Sequence, residues 1–413
     1  MRPVVVTGYG AITSIGYDAD SFWQSLCDGK SKVKPIERFD ASLYRSSLGS
    51  EVDWDVVDGL FEKGGFGPIK EDATKLAVLA IQEAVNRSNI DLDLYGDKVG
   101  CMVGTLCSSG KQQLDRLREI MNEDPFFMDC SYDDFTDVSY QANTIASIFN
   151  IKGVTSVVST ACASSIDAYG YGLDLIRDGT CDVVVVAGGD IIVECVHAGF
   201  NSIFAVSSSL PRPFDENRSG IVIGDGAAAI ILESESHALQ RGAPIFARAL
   251  GYGANNSAFN LVSPTDDGVP EALAMKMAIK DSGLSPDSIQ YVIAHGTGTP
   301  KNDQTELLAV DQAFDLEKRV SPLRITSNKA NMGHCMGAAG VISLVSAIGS
   351  INHQLIPPTS NLASKDPLFG ELENIELVYG ESLSCEISNI LINSLGFAGN
   401  NAVAIMGVYN GKN

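Results

Sequence analysis

The chain has 413 residues, 45% of them hydrophobic and 19% charged, and its 29 basic and 51 acidic side chains give a formal net charge of −22. That apolar share suffices for a large buried core over two or three domains of average size. The acidic balance, with no Lys/Arg run, excludes nucleic acid and anionic lipid as natural partners. The nine cysteines, at 27, 101, 107, 130, 162, 181, 195, 335 and 385, are dispersed, odd in number and form no CxxC pair. This argues against a disulfide framework or a zinc site and predicts mostly buried thiols.

In chain order, the opening MRPVVVTGYGAIT reads as a strand and then a Gly-rich turn, with no charged leader ahead of a long apolar run. No signal peptide is expected. No segment is apolar for about 20 residues, so no membrane span is expected either, and the location expected is cytoplasmic. Strands are predicted at 4–6, 154–159, 183–186, 228–232, 289–294, 325–327, 390–394 and 402–406, alternating with helical patterns. Several are apolar at nearly every position, as strands covered on both faces are, which predicts a layered α/β architecture.

After the strand at 154–159, Cys162 opens a stretch with apolar residues at Ile166, Tyr169, Leu173 and Ile176, a helical spacing, and Gly179 is its expected stop. Cys162 therefore belongs at a strand-to-helix turn. There the partial positive charge of a helix N-terminus would stabilise a thiolate, small neighbours leave room for a substrate, and a tight turn aims backbone N–H groups at an incoming carbonyl. A cysteine in isolation is more often filler than nucleophile, and only the setting raises Cys162 above that.

The second half repeats the pattern. His295 ends a strand in AHGTGTP, and His334 lies in NKANMGHCMGAAG before a helix carrying Val341, Leu344, Val345 and Ile348, apolar enough to be buried all round. Small residues 337–340 would let that helix approach a neighbour closely. Two of only five histidines thus occupy Gly-rich turns at strand ends, where α/β proteins build sites, and neutral imidazoles there would donate hydrogen bonds to a developing enolate. Lys329 shares the turn of His334. Asp303-Gln-Thr-Glu306 opens a helix and fits a capping box, a structural role that would account for both acids. Near the C-terminus NSLGFAGNN ends a strand with glycines flanking Phe397. Two related halves are expected, 1–245 with the nucleophile and 246–413 with both histidines.

VVVTGYGAIT, STACASS around Cys162, RPFDENRSG at 212–220, GDGAAAIILES at 224–234, HGTGTP, NKANMGH and GFAGNN follow one another in an order and spacing that resemble the elongating β-ketoacyl-acyl-carrier-protein synthases of the thiolase superfamily, nearly end to end. The resemblance implies a five-layer αβαβα fold with pseudo-twofold halves, and a dimer. It implies that Cys162 takes the acyl chain as a thioester and that His295 and His334 assist decarboxylation of a malonyl-carrier extender. Lys329 would hold the cluster in register with Glu306 as its partner. The N–H groups of Cys162 and Phe397 would form an oxyanion hole, Phe397 would also gate the cysteine, and Thr297 and Thr299 would bind phosphopantetheine. Cys107, Phe200 and Phe204 are the candidates for the acyl pocket. No bound cofactor or metal is implied, the substrates riding on the phosphopantetheine of acyl carrier protein. Cys385, in LSCEIS, lies outside any Gly-rich turn and argues against a thiolase, and the second histidine argues against the initiating type of synthase.

Three departures stand out. The gate, usually GFGG followed by Thr-Asn, reads GFAGNN, and the methyl of Ala398 is expected to restrict its swing. The loop after Gly253, Asp-Ala-Tyr-His in the common fatty-acid form, carries Ser257, Ala258, Phe259 and Asn260. The loop from Val206 to Arg212 is short and lacks a basic residue before Arg212, and residues 119–129 are acidic where relatives are often basic, so an acidic carrier would be repelled. These features resemble ketosynthases of aryl-polyene and other reducing type II polyketide pathways, some of which pair with a related partner subunit. A housekeeping fatty-acid synthase is the alternative. A non-catalytic chain-length-factor subunit, which would normally lack the cysteine, and a non-condensing acyltransferase rank below both.

Overall fold

The computed structural model describes residues 1–107, 110–123, 137–369, 372 and 374–411. Its main sheet has eleven strands: β1 (Val4–Thr13), β2 (Val99–Gly104), β3 (Thr155–Val158), β4 (Val183–Asp190), β5 (Gly226–Ser234), β6 (Ala247–Asn256), β7 (Tyr291–Ile293), β8 (Leu323–Thr326), β9 (Ile375–Leu377), β10 (Asn389–Leu395) and β11 (Asn400–Gly407). They lie in the order β9-β8-β7-β10-β11-β6-β1-β5-β4-β2-β3. The first five strands run third-second-fourth-fifth-first across the sheet. Leaving out the added edge strand β9, the later five repeat that order. The repeat extends to direction: in each set the first strand pairs antiparallel with the fifth, the fifth antiparallel with the fourth, and the second parallel with both the fourth and the third. The two sets join where Val4–Val6 of β1 pair antiparallel with Ala249–Ala247 of β6.

Five helices cover these strands: α1 (Asp72–Ser88), α2 (Ser164–Arg177), α3 (Val269–Ser282), α4 (Pro300–Phe314) and α5 (Ala339–His353). One face of each strand set packs on α2 and α5, with Val184, Val186, Ile230 and Leu232 from one set and Ile293, Ile390, Ile392 and Ala404 from the other. The opposite faces pack on α1, through Val183, Val185 and Ile231, and on α3 and α4, through Val292, Leu391, Val403 and Ile405. Alternate residues of one strand thus enter different apolar layers, which explains runs apolar at every position. The result is the five-layer αβαβα arrangement expected.

Several sequence expectations need correction. The predicted Gly-rich turn after Val6 is a continuation of β1. A Cβ at Gly8 or Gly10 would stand 2.1 or 2.2 Å from the carbonyl oxygens of Ala84 and Ala80, so these glycines admit the α1 backbone against the strand. Gly251 and Gly253 repeat the device against the Ala278 and Ala274 carbonyl oxygens of α3, at 2.5 Å each. Because β6 runs on to Asn256, residues 254–256 are strand and the loop beyond begins at Ser257. The helix holding Asp303 and Glu306 starts at Pro300 with Thr299 as its N-cap, so the two acids lie inside it and form no capping box. Of the eight cysteines among the described residues, all are free, but only four are buried and Cys195 is exposed. β3 ends the sheet, which leaves Val154 at its start 42% exposed.

The stretch Met336–His353 is long and apolar enough to cross a membrane by length and composition, and 89% of it is buried within the fold. Its small residues do permit close approach, since a Cβ at Gly340 would meet Ile166 at 2.6 Å. Residues 124–129 of the acidic stretch lie outside the described residues.

Candidate active site

Cys162 follows the end of β3 on a short 3-10 turn, Ala161–Ala163, that runs directly into α2. Ala161 is left-handed at φ 56°, a conformation costing a residue with a side chain about 1–2 kcal/mol. Hydrogen bonds from Thr160 N to Ser164 Oγ (2.9 Å), Ser164 Oγ to Ala161 O (2.5 Å) and Ser394 Oγ to Cys162 O (2.7 Å) hold the turn. The thiol is buried and lies 3.0 Å from His334 Nε2. His334 Nδ1 accepts the Met336 amide at 3.1 Å, so the ring proton belongs on Nε2, facing the sulfur.

The His295 ring stands across from that of His334, centroids 5.2 Å apart at 84°. Its Nδ1 is buried without a partner. Burial, and then the Lys329 ammonium, hold both imidazoles well below the usual histidine range, so both are neutral donors at physiological pH. Burial also depresses Lys329, opposed by the Glu306 carboxylate. Glu306 acts on Lys329 as a nearby charge. Its oxygens are occupied by the N–H groups of His295 and Gly296 (2.7 Å each) and by Asn393 Nδ2 (2.9 Å), so its structural work is to brace the His295 turn. Asp303 braces the same turn by accepting from Gly298 N (3.1 Å) and Phe214 N (2.8 Å).

Burial pushes the thiol up to about 11, outweighing Lys329 and the nearby backbone N–H groups of Phe397 and of Cys162 itself, which favour the thiolate. The expected thiolate bias of the helix start is therefore reversed in the unloaded protein. Those two N–H groups come from the turn between β10 and β11 and from the turn ahead of α2, and both act on Sγ. A Cβ on Gly396 would stand 3.3 Å from Cys162 N and 3.2 Å from Thr160 O, so this glycine lets the two backbones approach.

A pocket of about 230 Å³ leads to Cys162, His295 and His334 and is lined also by Phe200, Phe204, Thr297, Thr299 and Phe397. Thr297 and Thr299 face one another through their hydroxyls at 3.1 Å. Phe200 packs on Phe397, centroids 5.4 Å apart, inside the channel. Phe204 is 70% exposed and belongs to the mouth. Cys107 lies near Cys162, without lining the open channel, and donates its amide to Asp190 Oδ1 at 2.9 Å.

Ala398 is left-handed at φ 60°. Its methyl therefore strains the observed gate conformation, where the sequence reading has it restricting the swing. The gate is tied to the neighbouring loop by Asn256 Nδ2 to Ala398 O (2.8 Å) and to Asn400 Oδ1 (3.0 Å), and by Ser257 N to Gly399 O (2.8 Å).

Sequence reasoning missed Asp190 and Glu271. Asp190, at the end of β4, is fully buried and accepts from Thr105 Oγ1, Leu106 N, Cys107 N and Gly337 N at 2.7–2.9 Å. Burial pushes its carboxyl up to about 6. Its signal was an acid closing the otherwise apolar run VVVVAGGD. Glu271, a buried carboxylate lining the pocket, accepts from Thr265 Oγ1 (3.1 Å) and Ser257 Oγ (3.3 Å). Cys162, His295 and His334 bring their sulfur and ring nitrogens within 4.8 Å of one another, a set with soft-metal character. The adjacent Lys329 adds like charge against a cation.

Beta-ketoacyl synthase models match the chain over residues 1–238 for the N-terminal domain and 246–363 for the C-terminal domain. The chain belongs to the β-ketoacyl synthase family. This synthase is 33% identical to 3-oxoacyl-[acyl-carrier-protein] synthase 2 of Synechocystis sp., covering 97% of this chain and 96% of that one. It is 32% identical to the tetracenomycin polyketide synthase ketoacyl synthase alpha subunit of Streptomyces glaucescens, covering 98% and 97%. Among solved structures it resembles the ishigamide ketosynthase/chain length factor, with a TM-score of 0.89, 32% identity, and 99% and 100% of the two chains covered. The layered architecture is thus the thiolase fold of ketosynthases.

Proposed function

We propose that the synthase carries an acyl chain on Cys162 and condenses it with a malonyl unit borne by acyl carrier protein, releasing CO₂. The observation that carries this is the buried triad: a thiol 3.0 Å from an imidazole N–H fixed by the Met336 amide, with a second neutral imidazole across from it. In the first transfer, Sγ attacks the acyl thioester carbonyl, the N–H groups of Cys162 and Phe397 hold the oxyanion, and the pantetheine thiol leaves with a proton. Malonyl thioester then binds and loses CO₂. The electron pair of the broken C–C bond passes to an enolate whose oxygen accepts from His295 and His334. The enolate carbon attacks the Cys162 thioester carbonyl, forming the C–C bond, and collapse of the tetrahedral intermediate breaks the C–S bond and frees Sγ as the thiolate. Decarboxylation supplies the nucleophile without a strong base, which suits two donors held neutral by burial. No step needs a bound cofactor. Lys329 stabilises the enolate by its charge, Glu306 positions His295, and Thr297 and Thr299 face the pantetheine arm.

The repeated strand order supports a division into halves 1–245 and 246–413. The relatives named for fatty-acid and for polyketide synthesis support both readings of the pathway. The altered gate favours the polyketide or polyene one, in which the enzyme acts in the cytoplasm as a homodimer or beside a related chain-length-factor subunit. The test is mass spectrometry of Cys162 after exposure to acyl-carrier proteins, together with CO₂ release from malonyl-carrier protein. An unacylated Cys162, or His295→Ala with undiminished CO₂ release, would overturn the assignment.

A further inference from the structure

The short Val206–Arg212 loop leaves the pocket mouth without the basic residue that the resemblance leads one to expect there. The fold supplies one from elsewhere. Arg45 is exposed and sets its guanidinium over the ring of Phe204, 5.3 Å from the centroid. Phe204 and Ile203, both exposed, line the same pocket as Cys162. Three features mark this pair as built. Phe204 follows the helix Glu194–Ser202 in the left-handed region, at φ 58°, where a side chain is disfavoured and glycine usual, so an aromatic is held facing solvent against conformational preference. The backbone beside Arg45 is fixed: Ser46 N donates to Asn201 Oδ1 (3.0 Å), Ser46 Oγ to Ser207 O (2.6 Å), and Ser46 O bonds His197 Nε2 (2.7 Å). The guanidinium makes no ion pair among the described residues, in a chain of net charge −22. Lys301, which also lines the pocket, is by contrast paired with Asp266 at 2.9 Å.

The geometry points to Arg45 and Phe204 as the docking contact for the acidic carrier protein, the guanidinium meeting a carboxylate or the prosthetic phosphodiester of the carrier and the aromatic covering the entrance of the pantetheine arm. This rests on the carrier-dependent reading above. An arginine with no ion pair among the described residues, stacked on an exposed aromatic, has the composition of an interface hot spot, and a cation in a repulsive field gives both register and a faster encounter.

The test compares acyl transfer to Cys162 from acyl-carrier protein and from the same acyl group on N-acetylcysteamine, at low and high salt, for wild type, Arg45→Lys and Arg45→Glu. Arg45→Glu should lower kcat/KM for the carrier-borne substrate about ten-fold or more, mainly through KM. It should leave the small thioester within about two-fold of wild type and flatten the salt dependence, as expected for a contact outside the chemical site. Arg45→Lys, which keeps the charge but loses the planar stack, should fall between them. Unchanged KM for the carrier, an equal loss with both substrates, or a change in oligomeric mass, which would assign the surface to a subunit contact, each overturns the proposal. A wild type that uses only the small thioester overturns carrier dependence and this surface together, whereas wild-type carrier turnover indifferent to Arg45 overturns the surface alone.

Discussion

Ala398→Gly restores glycine at one of the two positions, 398 and 400, where the gate departs from the common form. Ala398 adopts φ 60° and ψ 18°, with its N–H donating to Leu261 O and its carbonyl accepting from Asn256, at 2.8 Å each. Left-handed backbone costs alanine about 1 kcal/mol relative to glycine. Phe397 packs on Phe200 in this state, and in its proposed gating role it leaves for an acyl chain to reach Sγ. If the open loop lets residue 398 return to negative φ, the methyl favours opening, and glycine restores the closed state by about 1 kcal/mol, a roughly five-fold smaller open population. Acyl transfer to Cys162 from long-chain thioesters should slow about five-fold, while iodoacetamide, small enough to pass a closed gate, should change less than two-fold. Thermal stability should move little, because the relieved strain is offset by about 0.4–1 kcal/mol of added unfolded-state entropy. Rapid-quench acylation followed by intact-protein mass spectrometry measures this. Faster long-chain loading in Ala398→Gly would refute the claim that the methyl strains the closed gate.

Glu306→Gln loses an anionic acceptor of two backbone N–H groups in the His295 turn. It should cost about 1–3 kcal/mol in chemical denaturation and slow CO₂ release more than Cys162 acylation; equal effects on both steps would count against a role in positioning His295. Alkylation of Cys162, with its thiol pushed up to about 11, should climb about ten-fold per pH unit between about 7 and 10. A plateau below about pH 9 in residue-resolved labelling would show that burial does not govern the thiol. Asp190 has a folded carboxyl near 6, above its ordinary 3.8. Its bound proton therefore stabilises the fold below about pH 4, and that contribution, on the order of 3 kcal/mol, is lost as pH rises through about 6. Asp190→Asn should show a shallower decline over that window in denaturant titrations, and an unchanged slope would remove Asp190 as its source.

The chemistry was legible because its residues sit in local patterns. The apolar run into STACASS announced the turn that presents Cys162, and Gly-rich turns singled out His295 and His334. What escaped notice depended on contacts distant in sequence. Gly8 and Gly10 read as a turn because their reason, the α1 carbonyl oxygens of Ala84 and Ala80, lies 76 and 70 residues away. Arg45 and Phe204 are 159 residues apart and meet only across the end of another helix. Asp190 looked like the end of a strand, since its four donors come from two other turns. The gate methyl had a readable presence and an unreadable sign, which depended on the dihedral angle it was given.

The repeated strand order has a consequence for how this enzyme can be divided. Although the two halves copy one another in topology, they no longer copy one another in labour: the thiol comes from the first and both imidazoles from the second. The distance between them is set where α2 meets α5, by Gly340 against Ile166 and by Val341 N on Ser165 Oγ at 2.9 Å. Residues 1–245 and 246–413 produced as separate polypeptides should each be inert, and activity should return only with reassembly of the helical layer they share.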